Sequence, residues 1–134
     1  MVNEREASYR VVVEVGNEYF PPGRTSVEAI SDGQVRVVTR LEGEESQTDG
    51  RFDPSEIEQR VADITAGHID PQQDERRRGL PDEPRYRLLI YRGSERVLDI
   101  EMWRSSLPDN PSIEKLVAAL NGVVYEVSGG EAIL

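Results

Sequence analysis

The feature that most constrains the fold is a strict alternation of apolar and polar side chains near the start of the chain. Tyr9, Val11, Val13 and Val15 occupy every second position of one short segment. This is the period of a β-strand that has one buried face and one exposed face. Such strands are typical of antiparallel sheets, so we expect one side of the sheet to be covered and the other to meet solvent.

A β-hairpin is predicted next. Two apolar-rich runs, Ser26–Ile30 and Gln34–Leu41, are joined through the dipeptide Asp32-Gly33. Asp-Gly between such runs is a strong hairpin signal because both residues tolerate a positive φ. The polar stretch Glu42–Gly50, which follows, is interpreted as a loop.

The first helix is predicted from the signals at its start. Asp53 is a candidate N-cap, Pro54 suits the first helical position, and Glu56 completes a capping box. The apolar residues that follow recur at the spacing of one helix face. They are Ile57, Val61 and Ile64.

A second hairpin is predicted from its register. A two-residue loop at Gly93-Ser94 would mix polar and apolar side chains on each face, whereas a three-residue loop, Gly93–Glu95, separates them. The three-residue loop also places Arg87 opposite Glu101, a favourable cross-strand pair. We therefore predict the odd loop, with a bulge. The predicted buried face comprises Tyr86, Leu88, Ile90, Leu98, Ile100 and Met102.

The remaining segments complete the predicted fold class. Asn110-Pro111 marks the start of a second helix, Asn121-Gly122 its end, and Val123–Val127 is a candidate for a short last strand. The order β-β-β-α-β-β-α predicts an α+β fold, with an antiparallel sheet of about five strands and two helices on one face. The length fits a single domain over residues 1–134. Residues 67–85 have little to bury and are interpreted as a mobile internal loop.

Composition and charge exclude several classes of function. With 26 acidic and 16 basic residues the net charge is −10, which argues against binding to nucleic acid or to an anionic membrane. The absence of cysteine excludes disulfides and thiolate chemistry. No apolar run approaches the ~20 residues of a membrane span, and no signal peptide is evident, so we expect a cytoplasmic protein. Fifteen arginines against the single Lys115 fit a GC-rich bacterial genome or salt adaptation.

No catalytic set is identifiable in the sequence. His68 is the only imidazole and follows a predicted helix end, where a cation meets the helix dipole favourably. The acidic residues show no metal-loop spacing, and the run Arg76–Arg78 is neutralised by its acidic neighbours. We therefore expect no catalytic residue, no metal and no cofactor. The alternative is a small enzyme with a carboxylate-only active site, because the separation of a carboxylate pair is set in three dimensions.

The segment Thr25–Val35 resembles a hairpin of small bacterial α+β domains, in which a helix, a second hairpin and a terminal helix follow as they do here. Over residues 9–121 the layout is similar to that of the emfourin family, whose members inhibit thermolysin-like metalloproteases. Emfourin-like chains carry Gly-Gly-Phe-Ala-Gly after the first strand, and the counterpart here is Gly16–Phe20. The resemblance implies an inhibitor of a partner protein.

These observations predict a non-catalytic, acidic protein-interaction module of the inhibitor or immunity type. An acidic surface favours a partner protein with a basic surface and speeds the encounter. Aromatic residues are enriched at binding hot spots. Neither nucleic acid nor a membrane is expected as a partner, and the oligomeric state stays open. The candidate partner-binding residues are Tyr19, Phe20 and Trp103, with Glu18 and Asp32 as an acidic rim.

Overall fold

The structure is a computed structural model that describes residues 9–17, 23–41, 43–66 and 85–130. Within these ranges the chain forms strands, two α-helices and one short 3-10 helix. In chain order they are β1 (Tyr9–Asn17), β2 (Gly23–Ile30), β3 (Gln34–Leu41), β4 (Glu44–Arg51), α1 (Pro54–Ala66), β5 (Arg85–Arg92), β6 (Glu95–Trp103), the 3-10 helix (Arg104–Asp109) and α2 (Pro111–Val127).

The described strands form one antiparallel sheet in the order β4-β3-β2-β1-β5-β6. The first four strands form a meander. After α1 the chain returns to the free side of β1, where β5 pairs with it, so β1 lies in the interior of the sheet. The predicted α+β fold with an antiparallel sheet is confirmed, and the sheet has six strands rather than about five.

The additional strand is β4, which lies in the stretch that the sequence predicted as a loop. Its residues Glu44–Arg51 pair with β3 over their whole length. The segment has almost no apolar side chains because it is an edge strand, stabilised by backbone hydrogen bonds and by cross-strand charges. Arg36 Nε lies 3.0 Å from Asp49 Oδ1, and Arg40 Nη2 lies 3.1 Å from Glu45 Oε2.

The second helix is longer than predicted, and the expected last strand Val123–Val127 is wrong. Asn121-Gly122 does not stop α2, because the apolar stripe continues with Val124, which is fully buried. The helix ends instead at two glycines with positive φ, Gly129 (66°) and Gly130 (87°). Gly130 N–H donates to Tyr125 C=O (2.8 Å) and Gly129 N–H to Glu126 C=O (3.3 Å), the hydrogen bonds of a Schellman motif.

The predicted register of the second hairpin is confirmed. Leu88 lies opposite Ile100, Ile90 opposite Leu98, and Arg87 opposite Glu101. The prediction places the extra residue of this hairpin in a three-residue loop, Gly93–Glu95. In the structure Arg92 pairs with Glu95, so the turn is only Gly93-Ser94. The bulge falls instead at Val97, which lies opposite no residue of β5 because Ile90 pairs with Leu98 and Tyr91 with Arg96.

Both helices cover the same face of the sheet, which we call the covered face. Its side chains alternate along the strands with those of the opposite face. The core between this face and the helices is built from apolar side chains and two tyrosines, and Ser106 is the one polar residue buried among the described residues. Its strand residues are Tyr9, Val11, Val13, Val27, Ala29, Val35, Val37, Tyr86, Leu88, Ile90 and Met102, and its α-helical residues are Ile57, Val61, Ile64, Ile113, Leu116, Val117, Leu120 and Val124.

Hydrogen bonds fix the start of α1 against the sheet. Ser55 N–H donates to Asp53 Oδ1 (3.0 Å), which confirms Asp53 as the N-cap and lowers its pKa. The buried Tyr9 hydroxyl donates to Pro54 C=O (3.2 Å), and burial raises the pKa of Tyr9 to about 12. Asn110 precedes α2 as predicted, but its side chain donates back to Ser106 C=O (3.1 Å) rather than capping the helix.

Most of the predicted mobile loop lies outside the described residues. Residues 67–84 belong to that part of the chain, and Arg85 is the first residue of β5.

Candidate functional site

The face of the sheet opposite the helices is the candidate site, and we call it the open face. No described helix lies on it, and its side chains form four rows that cross all six strands. From β4 to β6 the rows are Arg51, Gln34, Ile30, Arg10, Tyr91, Arg96; then Asp49, Arg36, Glu28, Val12, Leu89, Asp99; then Gln47, Val38, Ser26, Glu14, Arg87, Glu101; and then Glu45, Arg40, Arg24, Gly16, Arg85, Trp103.

Ion pairs lie at both sides of the open face, between β3 and β4 and between β5 and β6. On the β5–β6 side, Arg87 approaches Asp99 at 3.3 Å and Arg85 approaches Glu101 at 3.4 Å. Each arginine thus pairs with the carboxylate diagonally across the strand, not with the residue directly opposite. The hydrogen bonds that Arg87 donates to Asp99 raise the pKa of Arg87. Because these side chains are 31–52% exposed to solvent, the pairs contribute little to folding.

Two arginines of the open face stack on aromatic rings. Arg10 Cζ lies 4.3 Å from the centre of the Tyr91 ring, and Arg85 Cζ lies 4.6 Å from the Trp103 ring. The two stacks lie at opposite ends of the face, the first beside the β2–β3 turn. Cation–π contacts of this kind hold a guanidinium in place while it remains close to solvent.

The middle of the open face is apolar. Val12 and Leu89 are cross-strand neighbours on β1 and β5, and both are half-buried although no described element covers them. A shallow depression of about 260 Å³ adjoins this centre on the β2–β4 side. Its open-face lining includes Ile30, Glu28 and Arg36.

Charge is distributed unequally between the two sides of the sheet. The open face carries eight arginines and six carboxylates. The rest of the described chain carries four basic residues and ten carboxylates. Among the described residues, the excess of carboxylates therefore lies on the helix side and around the loops, whereas the open face has an excess of arginine.

The structure separates the described members of the predicted site. Trp103 lies at the end of β6 on the open face, beneath Arg85. Asp32 lies in the β2–β3 turn, where its Oδ1 accepts a hydrogen bond from Gln34 N–H (2.9 Å). The two residues are at opposite ends of the sheet, some six residues or ~20 Å apart along the strands. Glu18, Tyr19 and Phe20 lie outside the described residues.

The sequence analysis missed the arginines of the open face. Arg36 and Arg40 have the same strand parity as Val38, so alternation alone places the three on one face. The number of arginines alone indicates only a compositional bias, whereas their parity along the strands places them on one face. The parity signal becomes visible only when several strands are aligned, because no single strand carries more than two arginines at consecutive open-face positions.

No cluster of three His, Asp or Glu side chains suited to holding a metal ion occurs among the described residues. Of the helices that the structure describes, none combines the length and the apolar character that a membrane crossing requires.

The chain was compared with known proteins. No model of a known protein family matches it, and no curated protein shows significant similarity to it. The resemblance in layout to the emfourin family therefore stays a prediction.

Proposed function

We propose that this protein is a non-catalytic module that binds another protein, and that the open face of the sheet is the surface it uses. The observation that carries the proposal is the composition of this face. Half-buried Val12 and Leu89 lie at its centre, Trp103 and Tyr91 at its ends, and arginines between them. Aromatic residues and arginine are enriched in protein interfaces, whereas lysine is depleted.

The size of the open face supports the same proposal. Six strands at ~4.8 Å spacing and seven residues at ~3.4 Å give an area of roughly 29 Å by 24 Å, or about 700 Å². A protein interface of standard size buries about 800 Å² on each partner. The face is therefore large enough for one complete interface.

Inhibition of the partner, or immunity against it, is the specific form of binding that we propose. Either role needs only a surface that occludes a functional region of the partner. The net charge of −10 favoured a basic partner, but the described carboxylates that lie off the open face are on the helix side and around the loops. A basic partner would thus meet the helices, and the open face favours a different one.

A matched pair of variants tests the surface. Leu89→Arg places a long cation in the middle of the open face, and Ala118→Arg places the same side chain on an exposed position of α2. Tagged wild type and both variants are used to capture partners from cells that express the protein, and captured proteins are compared by quantitative mass spectrometry. We expect a specific partner to be lost with Leu89→Arg and retained with Ala118→Arg. Retention with Leu89→Arg and loss with Ala118→Arg would place the interface on the helices.

A further inference from the structure

One end of the open face is built as a row of arginines. Arg40, Arg24, Gly16, Arg85 and Trp103 lie opposite one another on β3, β2, β1, β5 and β6. We call these five residues the arginine row. It combines three guanidinium groups with one indole on adjacent strands.

The arginine row contains a locally unfavourable arrangement. Arg24 lies directly opposite Arg40, and like charges at such positions destabilise a sheet. Arg40 has a partner in Glu45, but Arg24 is exposed and forms no ion pair or hydrogen bond with any residue in the described ranges. By contrast, Arg10, Arg36 and Arg87 each pair with a carboxylate of a neighbouring strand or of their own hairpin.

The Arg24 guanidinium lies beside Gly16 of β1. A Cβ atom at Gly16 would lie 3.6 Å from Arg24 Nε and 3.8 Å from Arg24 Nη2. The guanidinium of Arg24 therefore extends from β2 over the backbone of β1, into the space that the glycine leaves. It is brought towards Arg85, whose strand is the next neighbour of β1.

Arg85 is held in place from two directions. Its guanidinium stacks on Trp103, and its Nε lies 3.4 Å from Glu101 Oε2. A stacked guanidinium keeps its planar array of N–H donors in a fixed orientation, and this array matches the two oxygens of a carboxylate. The row thus has one oriented arginine and one arginine that has no partner within the described part of the chain.

We infer that the arginine row binds the carboxylates of an acidic segment of the partner protein. This inference rests on the proposed function and identifies the chemistry of the partner at one end of the open face. The apolar centre around Val12 and Leu89 lies two rows from the arginine row, beyond Glu14 and Arg87, and offers contact to the aliphatic parts of the same segment where it continues along the strands. A nucleic acid is a poorer occupant because its phosphate charge is continuous along the strand, whereas the arginine row is bordered by the carboxylates Glu14 and Glu101 of the next row.

The test uses the full chain and a capped hexaglutamate peptide as the probe. Trp103 is the only tryptophan, so its fluorescence reports binding at the row, and the Nε–H resonances of Arg24 and Arg85 report it in NMR spectra. We expect a saturable change in all three signals. Arg24→Gln should weaken peptide binding about five- to tenfold, because a charge-assisted, bidentate contact is lost. Arg24→Lys should restore only part of the affinity.

Arg36→Gln is the matched control, since Arg36 lies on the same face and is paired with Asp49. We expect it to leave the peptide affinity unchanged. The inference is overturned if hexaglutamate gives no saturable change, if Arg36→Gln weakens binding as much as Arg24→Gln, or if a single-stranded oligonucleotide binds at Trp103 more tightly than the peptide. In each of these cases, loss of the native partner with Leu89→Arg would still support the open face as the interface, so the two proposals fail separately.

Discussion

Leu89 and Ile90 are neighbours on β5, yet they belong to surfaces with opposite properties. Ile90 is fully buried beneath the helices on the covered face, whereas Leu89 is half-buried among arginines on the open face. The same strands therefore build a packed apolar layer on one side and a charged layer with a small apolar centre on the other. The comparison indicates that stability resides mainly on the covered face, which leaves the open face free to serve binding.

Truncation of the two neighbours tests this division most strongly. Ile90→Ala should lower the free energy of unfolding by about 2–5 kcal/mol, because transfer energy is lost and a cavity remains. Leu89→Ala should cost about 1 kcal/mol or less, because its side chain is only partly removed from water. Urea denaturation of both variants provides the measurement. Equal costs would show that the open face is part of the core.

Two glycines extend the comparison to the edge of the sheet. A Cβ atom at Gly50 would lie 2.9 Å from Val127 Cγ1, whereas nothing lies within 4 Å of one at Gly122. Gly50→Ala should therefore cost about 1–3 kcal/mol of unfolding free energy through overpacking between β4 and α2. Gly122→Ala should be neutral or stabilising by up to ~1 kcal/mol, since alanine favours the helix.

Relief of the clash provides the control for the glycine experiment. In the double variant Gly50→Ala with Val127→Ala the new methyl group has room. The loss of unfolding free energy caused by Gly50→Ala should therefore be smaller in the Val127→Ala background than in wild type. If Gly50→Ala remains as costly in that background, Val127 is not the cause.

The pH dependence of stability tests the attachment of α1 to the covered face. The pKa of Tyr9 is about 12 in the folded protein against 10.0 for a free side chain. Between these values the unfolded chain loses the proton first, so the free energy of unfolding is undiminished below pH ~10 and falls by up to ~2 kcal/mol as pH rises towards 12. Denaturation at a series of alkaline pH values should show a shallower fall for Tyr9→Phe than for wild type. Identical slopes would mean that another group is responsible.

The smallest expected effect concerns the ion pairs of the open face. A double-mutant cycle with Arg36→Gln and Asp49→Asn should give a coupling energy of about 0.2–1 kcal/mol, because both side chains are more than half exposed. The coupling should decrease further in high salt, as the pair is screened. A coupling energy that is larger and independent of salt would contradict the view that this face contributes little to stability.

Alternation and capping signals were sufficient for much of the fold. The parity of Leu88 and Ile90 against Leu98 and Ile100 determined the register, because only one alignment keeps apolar side chains together. Strand β4 lacks such a signal, since its stability depends on β3 and on charges that pair across strands. The end of α2 was missed because Asn121-Gly122 resembles a stop, whereas the burial of Val124, a tertiary effect, prolongs the helix.

The candidate site was less accessible to sequence reasoning. Trp103 was identified from its residue type, but its stacking on Arg85 depends on the pairing of β5 with β6. Arg24 became a candidate binding residue only because Arg40 lies opposite it and Gly16 lies beside it. Nothing in the sequence indicates that these three residues are neighbours. Only the sheet brings them together.

The bulge at Val97 has a consequence for how copies of this protein meet. Strands β4 and β6 are the edges of the described sheet. The unpaired backbone N–H and C=O groups of a regular edge strand can form hydrogen bonds with a strand of another molecule. On β6 the bulge interrupts that regular ladder, and on β4 the polar and charged side chains offer an added strand little apolar surface to pack against. Both edges thus discourage self-association and aggregation through added strands. Contacts with other molecules are thereby directed to side chains on the faces of the sheet.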